Sequence, residues 1–151
     1  MLYIILIMKY YSYEQFKIDT KKIIQKSPQI DAILGIARGG LTLSHALAEG
    51  LDLREVQTLR TELYDNTTKR NTITIIDTTT FTSKQKVLVV DDIADSGETL
   101  NVVMQHLKHK YPQTTFISAT LFYKTSSSYE PDIWINEASQ WIEFFWEKDF
   151  N

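Results

Sequence analysis

The chain has 151 residues, of which 43% are hydrophobic and 23% are charged, and its formal net charge is −3. This size and composition predict a single domain spanning residues 1–151, and the acidic balance argues against a nucleic-acid partner. The absence of cysteine excludes disulfides and thiolate metal sites, and it suits a cytoplasmic location.

The N-terminal segment, residues 2–8, is apolar throughout. It is far shorter than the ~20 residues that a membrane span requires, and no small-residue cleavage site follows it, so we predict no membrane span and no signal peptide. Three interpretations of this segment stay open: an extra edge strand, an oligomer contact, or an upstream start with Met8 as the true first residue.

An amphipathic helix is predicted over residues 13–24, where Phe16, Ile23 and Ile24 lie among Lys and Asp. The Ser27-Pro28 pair then disfavours a longer helix.

Residues 32–36 are predicted to form the first core strand, and the loop Ala-Arg-Gly-Gly of residues 37–40 follows directly. Its glycines allow the backbone to approach a large anion. A short helix over residues 41–49 is then predicted to end at Gly50 as its C-terminal cap.

The middle of the chain alternates between strand-like and polar segments. Residues 53–63 and residues 73–76 are predicted strands, and the polar residues 64–72 and 78–86 connect them to their neighbours.

A buried parallel strand is predicted over residues 87–90, because four consecutive apolar residues are too short a run for a surface helix. Asp91 and Asp92 follow, then a polar turn over residues 95–99 and an amphipathic helix to residue 110. This order places carboxylates and free helix N–H groups together at the carboxyl edge of a sheet.

Further strands are predicted over residues 116–123 and 133–135. The alternation of strands and helices predicts an α/β fold with a mostly parallel central sheet flanked by helices.

The sequence of residues 87–100, VLVVDDIADSGETL, resembles the phosphoribosyl diphosphate (PRPP) signature of type I phosphoribosyltransferases. The Arg-Gly-Gly loop precedes it in the order that this family shows, where it meets the leaving pyrophosphate. A competing interpretation is structural: Asp95 and Glu98 have the spacing of a helix capping box, and the acidic pair could be a polar strand end.

The resemblance implies the type I phosphoribosyltransferase fold with a small hood region, Mg²⁺ as cofactor, and a homo-oligomer, dimer or tetramer. Lys69 and Arg70 lie where a hood residue would reach the diphosphate, although a solvated hairpin is the alternative there. The residues implied to bind PRPP are Arg38, Gly39, Gly40, Lys69, Arg70, Asp91, Asp92, Ile93, Ala94, Asp95, Ser96, Gly97, Glu98 and Thr99. Of these, Asp92 is implied to contact the metal, and Asp95 is implied to be the catalytic residue that accepts or relays the proton of the acceptor base.

The C-terminal stretch Trp141-Ile142-Glu143, followed by Trp146, is similar to the purine pocket of bacterial xanthine-guanine phosphoribosyltransferases. The residues implied to bind the purine are Asp95, Lys124, Trp141 and Ile142. Two departures leave the preference among purines open, namely Phe144-Phe145 in place of polar and proline residues, and Thr-Ser-Ser-Ser after Lys124.

The implied function is purine salvage: a 6-oxopurine (guanine, xanthine or hypoxanthine) and PRPP give the nucleoside 5′-monophosphate and pyrophosphate. Two alternatives stay open, a PRPP-sensing regulator without transferase activity and a phosphoribosyltransferase with a non-purine acceptor. For Trp146, packing is the favoured interpretation over contact with the ligand.

Overall fold

The computed structural model describes residues 7–65 and 71–151, without the side chains of residues 64, 65 and 71. Most of the apolar N-terminal segment and the predicted ligands Lys69 and Arg70 lie outside the described residues. Within those residues, every helix is too short or too polar to cross a bilayer.

Strands and helices alternate along most of the chain. In chain order the elements are β1 (Met8–Tyr11), α1 (Tyr13–Lys26), β2 (Ala32–Ala37), α2 (Leu41–Leu51), β3 (Val56–Asp65), β4 (Asn71–Asp77), β5 (Lys86–Ala94), α3 (Glu98–Lys110), β6 (Thr115–Tyr123), β7 (Ile133–Glu137), β8 (Trp141–Phe144) and α4 (Phe145–Lys148).

Six strands form the main sheet in the order β4-β3-β2-β5-β6-β7, and β1 and β8 form a separate parallel pair. All neighbours in the main sheet are parallel except β3 and β4. The predicted α/β fold with a mostly parallel central sheet is therefore confirmed.

The sheet is buried on both faces, which explains why β2 and residues 87–90 of β5 are apolar throughout. On one face, Leu88 and Val90 belong to the cluster that contains side chains of α1 and α2. On the other face, Val87 and Val89 belong to the cluster that contains the apolar side of α3. Successive residues of β5 thus point to opposite layers.

Strand β5 is longer than the predicted residues 87–90, because it includes the acidic pair and ends at Ala94. The equally long β6 continues the parallel pairing as far as Ala94 and Tyr123. Helix α3 then begins at Glu98 with Gly97 as its N-cap and no side-chain cap. The capping-box interpretation of Asp95 and Glu98 is therefore wrong.

The prediction that Gly50 caps helix α2 is also wrong. The helix continues to Leu51, and Asp52 takes the left-handed conformation with φ of 53°. Gly50 faces α1 instead, where a Cβ would overlap the Cδ1 atom of Ile24. The glycine at this position permits close packing of two helices.

The β3–β4 hairpin is tied to helix α3 through Asp77, the last residue of β4. One carboxylate oxygen of Asp77 lies 2.8 Å from His106 Nε2 and 3.0 Å from Lys110 Nζ, and the other accepts the N–H of Thr79 at 2.7 Å. Burial alone would raise the pKa of Asp77, but hydrogen bonds from Thr79, His106 and Lys110 outweigh it and lower the pKa to about 2. The Asp77 carboxylate is therefore a stabilising charge.

We expect Asp77→Asn to lower the free energy of unfolding by about 2 kcal/mol at pH 7, because each unit of lowered pKa corresponds to about 1.4 kcal/mol. The contribution of a carboxyl group with a lowered pKa is present above its unfolded value and is lost as the pH falls through its folded value. In urea unfolding, the free energies of unfolding of the wild-type protein and the variant should therefore converge as the pH falls from about 5 to about 2. A difference that stays constant over this range would contradict the assignment.

Candidate active site

Four chain segments meet at the carboxyl edge of the parallel strands, where α/β folds place their ligands. They are the loop at residues 37–40 after β2, the end of β5 with the turn at residues 95–97, Lys124 directly after β6, and residues 138–142 at the start of β8. The predicted PRPP and purine ligands, apart from Lys69 and Arg70, lie in these segments or in the first turn of α3.

The Arg-Gly-Gly loop packs directly against the end of β5. A Cβ on Gly39 would lie 2.6 Å from Asp92 Oδ2, and a Cβ on Gly40 would overlap the carbonyl oxygen of Val90. The Ala37–Arg38 peptide bond is cis, and the Arg38 side chain is exposed. The backbone of Gly39 and Gly40 therefore lies directly against the end of β5, and a side chain at either position would force its neighbours to shift.

The acidic pair lies near the end of β5 in a desolvated environment. Asp92 is 8% exposed and Asp91 is half-buried, and their side chains accept hydrogen bonds from the backbone N–H groups of Asp92 and Ile93. Among the described residues, no Lys, Arg or His nitrogen lies within 4.0 Å of either carboxylate.

Burial raises the pKa of both carboxyl groups, and nearby negative charge raises it further. The charge of Asp92 acts on Asp91, and the charge of Glu147 acts on Asp92. Two neighbouring desolvated carboxylates repel each other, and a bound cation would relieve that repulsion. The pair is therefore suited to bind a cation.

The turn after β5 is shaped for close backbone approach. Gly97 has φ of +83°, and a Cβ there would overlap Ser127 Oγ. The N–H and hydroxyl of Ser128 both donate to the carbonyl oxygen of Ser96, at 2.8 and 3.0 Å. The turn and the start of α3 enclose a cavity of about 100 Å³ that is lined by Ser96, Gly97 and Thr99 among others.

The serines that brace this turn were not predicted as part of the site. They belong to the Thr-Ser-Ser-Ser stretch after Lys124, which the sequence marks only as a departure from the related enzymes. A run of hydroxyl residues directly after a strand was the available signal, because such side chains readily bond to nearby backbone groups.

A larger cavity of about 310 Å³ lies beside the turn. Asp95 lines both cavities, and its Oδ1 atom lies 3.5 Å from the Nζ atom of Lys124, which lines the larger one. Trp141 is 59% exposed at this cavity, and Ile142 is buried in its wall. An exposed indole next to a cation and a carboxylate suits a flat polar ring.

Several residues of the larger cavity were not predicted as ligands. They are Ala138, Ser139, Gln140, Phe144 and Glu147. Trp146 lies outside this set and stacks on Phe144 with ring centroids 4.6 Å apart. Trp146 thus contributes to an aromatic cluster behind the wall.

The residues present fit a magnesium ion that is held mainly by substrate and water. No cluster of three or more His, Cys, Asp or Glu ligands occurs in the described part of the chain. Mg²⁺ is usually bound through one or two carboxylates together with substrate phosphates. Asp91 and Asp92 supply that number of carboxylates.

A family model described as the phosphoribosyl transferase domain matches residues 10–149, which include every predicted ligand. The chain belongs to this family. The predicted resemblance to type I phosphoribosyltransferases is therefore confirmed.

Individual relatives of this phosphoribosyltransferase have names that are more specific than the family description. A protein from Idiomarina loihiensis named xanthine-guanine phosphoribosyltransferase is 28% identical over 142 residues, which cover 90% of this chain and 84% of the relative. A solved xanthine-guanine-hypoxanthine phosphoribosyltransferase from Helicobacter pylori is 40% identical, with a TM-score of 0.87 over 95% of this chain and 96% of the other. A purine phosphoribosyltransferase from Pyrococcus horikoshii is 26% identical, with a TM-score of 0.84 over 93% and 94%.

We expect Asp92→Asn to raise the melting temperature of the ligand-free protein at pH 8 by roughly 2–4 °C, because it removes one of two desolvated like charges. A raised folded-state pKa means that the ionised group costs stability above that pKa, so the gain should shrink as the pH is lowered.

Calorimetric scans at pH 8 and at pH 5 check this expectation. Asp132→Asn is the matched control, because Asp132 accepts hydrogen bonds from the N–H and hydroxyl of Ser118 and its loss should destabilise the protein. A lower melting temperature for Asp92→Asn at pH 8 would contradict the assigned electrostatics.

Proposed function

We propose that this phosphoribosyltransferase acts in purine salvage and converts a 6-oxopurine and PRPP to the nucleoside 5′-monophosphate and pyrophosphate. The observation that carries the proposal is the shared position of Asp95, which lines both the small cavity at the helix N-terminus and the larger cavity with Lys124 and Trp141. A phosphate bound in one cavity and a base bound in the other would face each other across this carboxylate. The names of the relatives agree with a purine as the base.

The PRPP end of the site provides groups for each part of that substrate. The N–H groups and hydroxyls of residues 96–99 bind the 5′-phosphate, since a helix N-terminus favours an anion. Asp91 and Asp92 hold the ribose hydroxyls. Arg38 and the backbone of Gly39 and Gly40 stabilise the leaving pyrophosphate, and Lys69 and Arg70 of the hood are proposed to reach it as well.

The base end orients the acceptor. Lys124 donates to the exocyclic oxygen at position 6, and Trp141 stacks on the ring while Ile142 packs beside it. Asp95 accepts or relays the proton of the purine N7 as the base attacks.

The reaction is a substitution at the anomeric carbon, in which a bond from the base nitrogen forms and the bond to the pyrophosphate oxygen breaks. The transition state resembles an oxocarbenium ion, as in other glycosyl transfers. Electrostatic stabilisation by fixed charges therefore supplies much of the catalysis. When bound at Asp92, Mg²⁺ would neutralise charge on the diphosphate and on the ribose hydroxyl oxygens.

Three further properties belong to this proposal: dependence on Mg²⁺, a dimeric or tetrameric assembly, and a cytoplasmic location.

The experiment that tests the proposed function offers PRPP and Mg²⁺ together with guanine, xanthine, hypoxanthine, adenine or uracil to the purified protein. Nucleotide formation and pyrophosphate release are recorded together. We expect turnover with one or more 6-oxopurines and none with uracil. Binding of PRPP without turnover of any base would instead favour the sensor function.

We expect Lys124→Ala to raise KM for the base by about tenfold and to leave KM for PRPP nearly unchanged, because the variant loses a charged hydrogen bond to the base alone. Steady-state kinetics with each substrate varied in turn measures both constants. Lys108→Ala, which removes an exposed lysine on α3, is the matched control. Equal increases in both constants would contradict the assignment of Lys124 to the base.

A further inference from the structure

The wall of the larger cavity is carried by a strand that is not part of the main sheet. Trp141, Ile142 and Phe144 all lie in β8, and among the described strands β8 pairs with β1 alone. Lys124 and Asp95, on the opposite side of the cavity, follow strands of the main sheet. The distance between the two sides therefore depends on how the β1–β8 pair is attached to the rest of the molecule.

Apolar side chains of β8 pack into the main core, and Tyr11, the last residue of β1, adds a polar attachment. Tyr11 is 1% exposed and is the register partner of Phe144, and its hydroxyl donates to Asp19 Oδ2 on helix α1 at 2.6 Å. Among the described side chains of β1 and β8, the one other hydrogen bond found joins Tyr10 to Asp149. That bond joins β1 to the residue directly after α4, whereas the Tyr11 hydroxyl bonds to helix α1 and so links the pair to the body of the protein.

Asp19 extends this link into the main sheet. Its side chain is fully buried, and the oxygen that accepts the Tyr11 hydroxyl also accepts Asn136 Nδ2 from β7 at 2.8 Å. The same Asn136 nitrogen lies 3.2 Å from the carbonyl oxygen of Leu121 in β6. Gln15 Nε2 occupies the other oxygen of Asp19 at 3.0 Å. One buried carboxylate thus joins β1, α1 and β7.

The hydroxyl of Tyr11 stays a donor throughout the working pH range. Burial raises the pKa of Tyr11, and the hydrogen bond to Asp19 raises it further. The ring of Tyr11 packs edge-on against Phe122 of β6, with centroids 5.0 Å apart. The ring therefore supplies packing, whereas the hydroxyl supplies a directional bond.

We infer that Tyr11 and Asp19 are positioning residues for the acceptor base, which hold the β1–β8 pair so that Trp141 and Ile142 face Lys124 and Asp95 at the spacing of one purine ring. The inference rests on the proposed function and adds residues that contact neither substrate. Neither residue belongs to the cavities at the carboxyl edge, and no motif of the sequence indicates them.

The test compares two tyrosine-to-phenylalanine variants. Tyr11→Phe keeps the ring and removes the hydroxyl bond to Asp19. Tyr111→Phe is the matched control, because its hydroxyl donates to the carbonyl oxygen of Thr79, beside the β3–β4 hairpin and far from β8 in the fold. Each variant loses the hydrogen bonding of one buried or half-buried hydroxyl, so both should lose some thermal stability.

We expect Tyr11→Phe to raise KM for the base by about tenfold, while KM for PRPP stays unchanged. Asn136→Ala, which removes another donor to the same oxygen of Asp19, should change KM for the base in the same direction. It also provides the measurement if Tyr11→Phe does not fold. Tyr111→Phe should change neither constant. The inference would be overturned if KM for the base stayed unchanged in the folded variants at Tyr11 and Asn136. An equal rise in KM for the base and KM for PRPP would overturn it as well.

Hydrogen exchange followed by mass spectrometry gives a second readout that needs no activity. We expect faster exchange of the β1 and β8 amides in Tyr11→Phe, with the main sheet unchanged, and no such change in Tyr111→Phe. Unchanged protection of β8 would overturn the inference. If the wild-type protein turned over no oxopurine, the proposed function would fail, and the exchange of β8 would still decide whether Tyr11 holds the strand.

Discussion

The close packing of the Arg-Gly-Gly loop against the end of β5 is the constraint on which the candidate site depends. A Cβ at Gly40 would overlap the Val90 carbonyl oxygen, and one at Gly39 would lie 2.6 Å from the Asp92 carboxylate. Because both positions are glycine, an arginine, several backbone N–H groups and two carboxylates share one edge of the sheet. A diphosphate ester carries negative charge next to ribose hydroxyls, so a site that binds it needs both kinds of group in contact.

This arrangement is unfavourable for the ligand-free protein. Asp91 and Asp92 are desolvated side by side, and Glu147 adds a third negative charge nearby. Burial away from a cation raises the pKa of a carboxyl group, and the ionised group then lowers the free energy of unfolding at neutral pH. Elsewhere the chain pairs its buried charges, as Asp77 and Asp19 show with their several donors. The contrast makes the acidic pair the candidate cation-binding position of this phosphoribosyltransferase.

Local residue order predicted the elements that carry the candidate site. The strand and Arg-Gly-Gly loop of residues 32–40, and the strand, acidic pair, polar turn and helix of residues 87–110, each depend on residues that are neighbours along the chain. Features set by distant partners were missed. Strand β5 extends to Ala94 because β6 supplies its pairing, Gly50 packs against Ile24, and β8 pairs with β1 from the opposite end of the chain. No local pattern carries that information, so the anchor at Tyr11 and Asp19 required the three-dimensional structure.

The central claim is that the acidic pair binds a cation together with the substrate. Its most direct test is a calorimetric titration of the wild-type protein with PRPP, once with Mg²⁺ and once with a chelator. The account predicts that PRPP binds about tenfold or more tightly when Mg²⁺ is present, since the cation offsets the repulsion between the substrate and the two carboxylates. Equal affinity under both conditions would contradict the role assigned to Asp91 and Asp92.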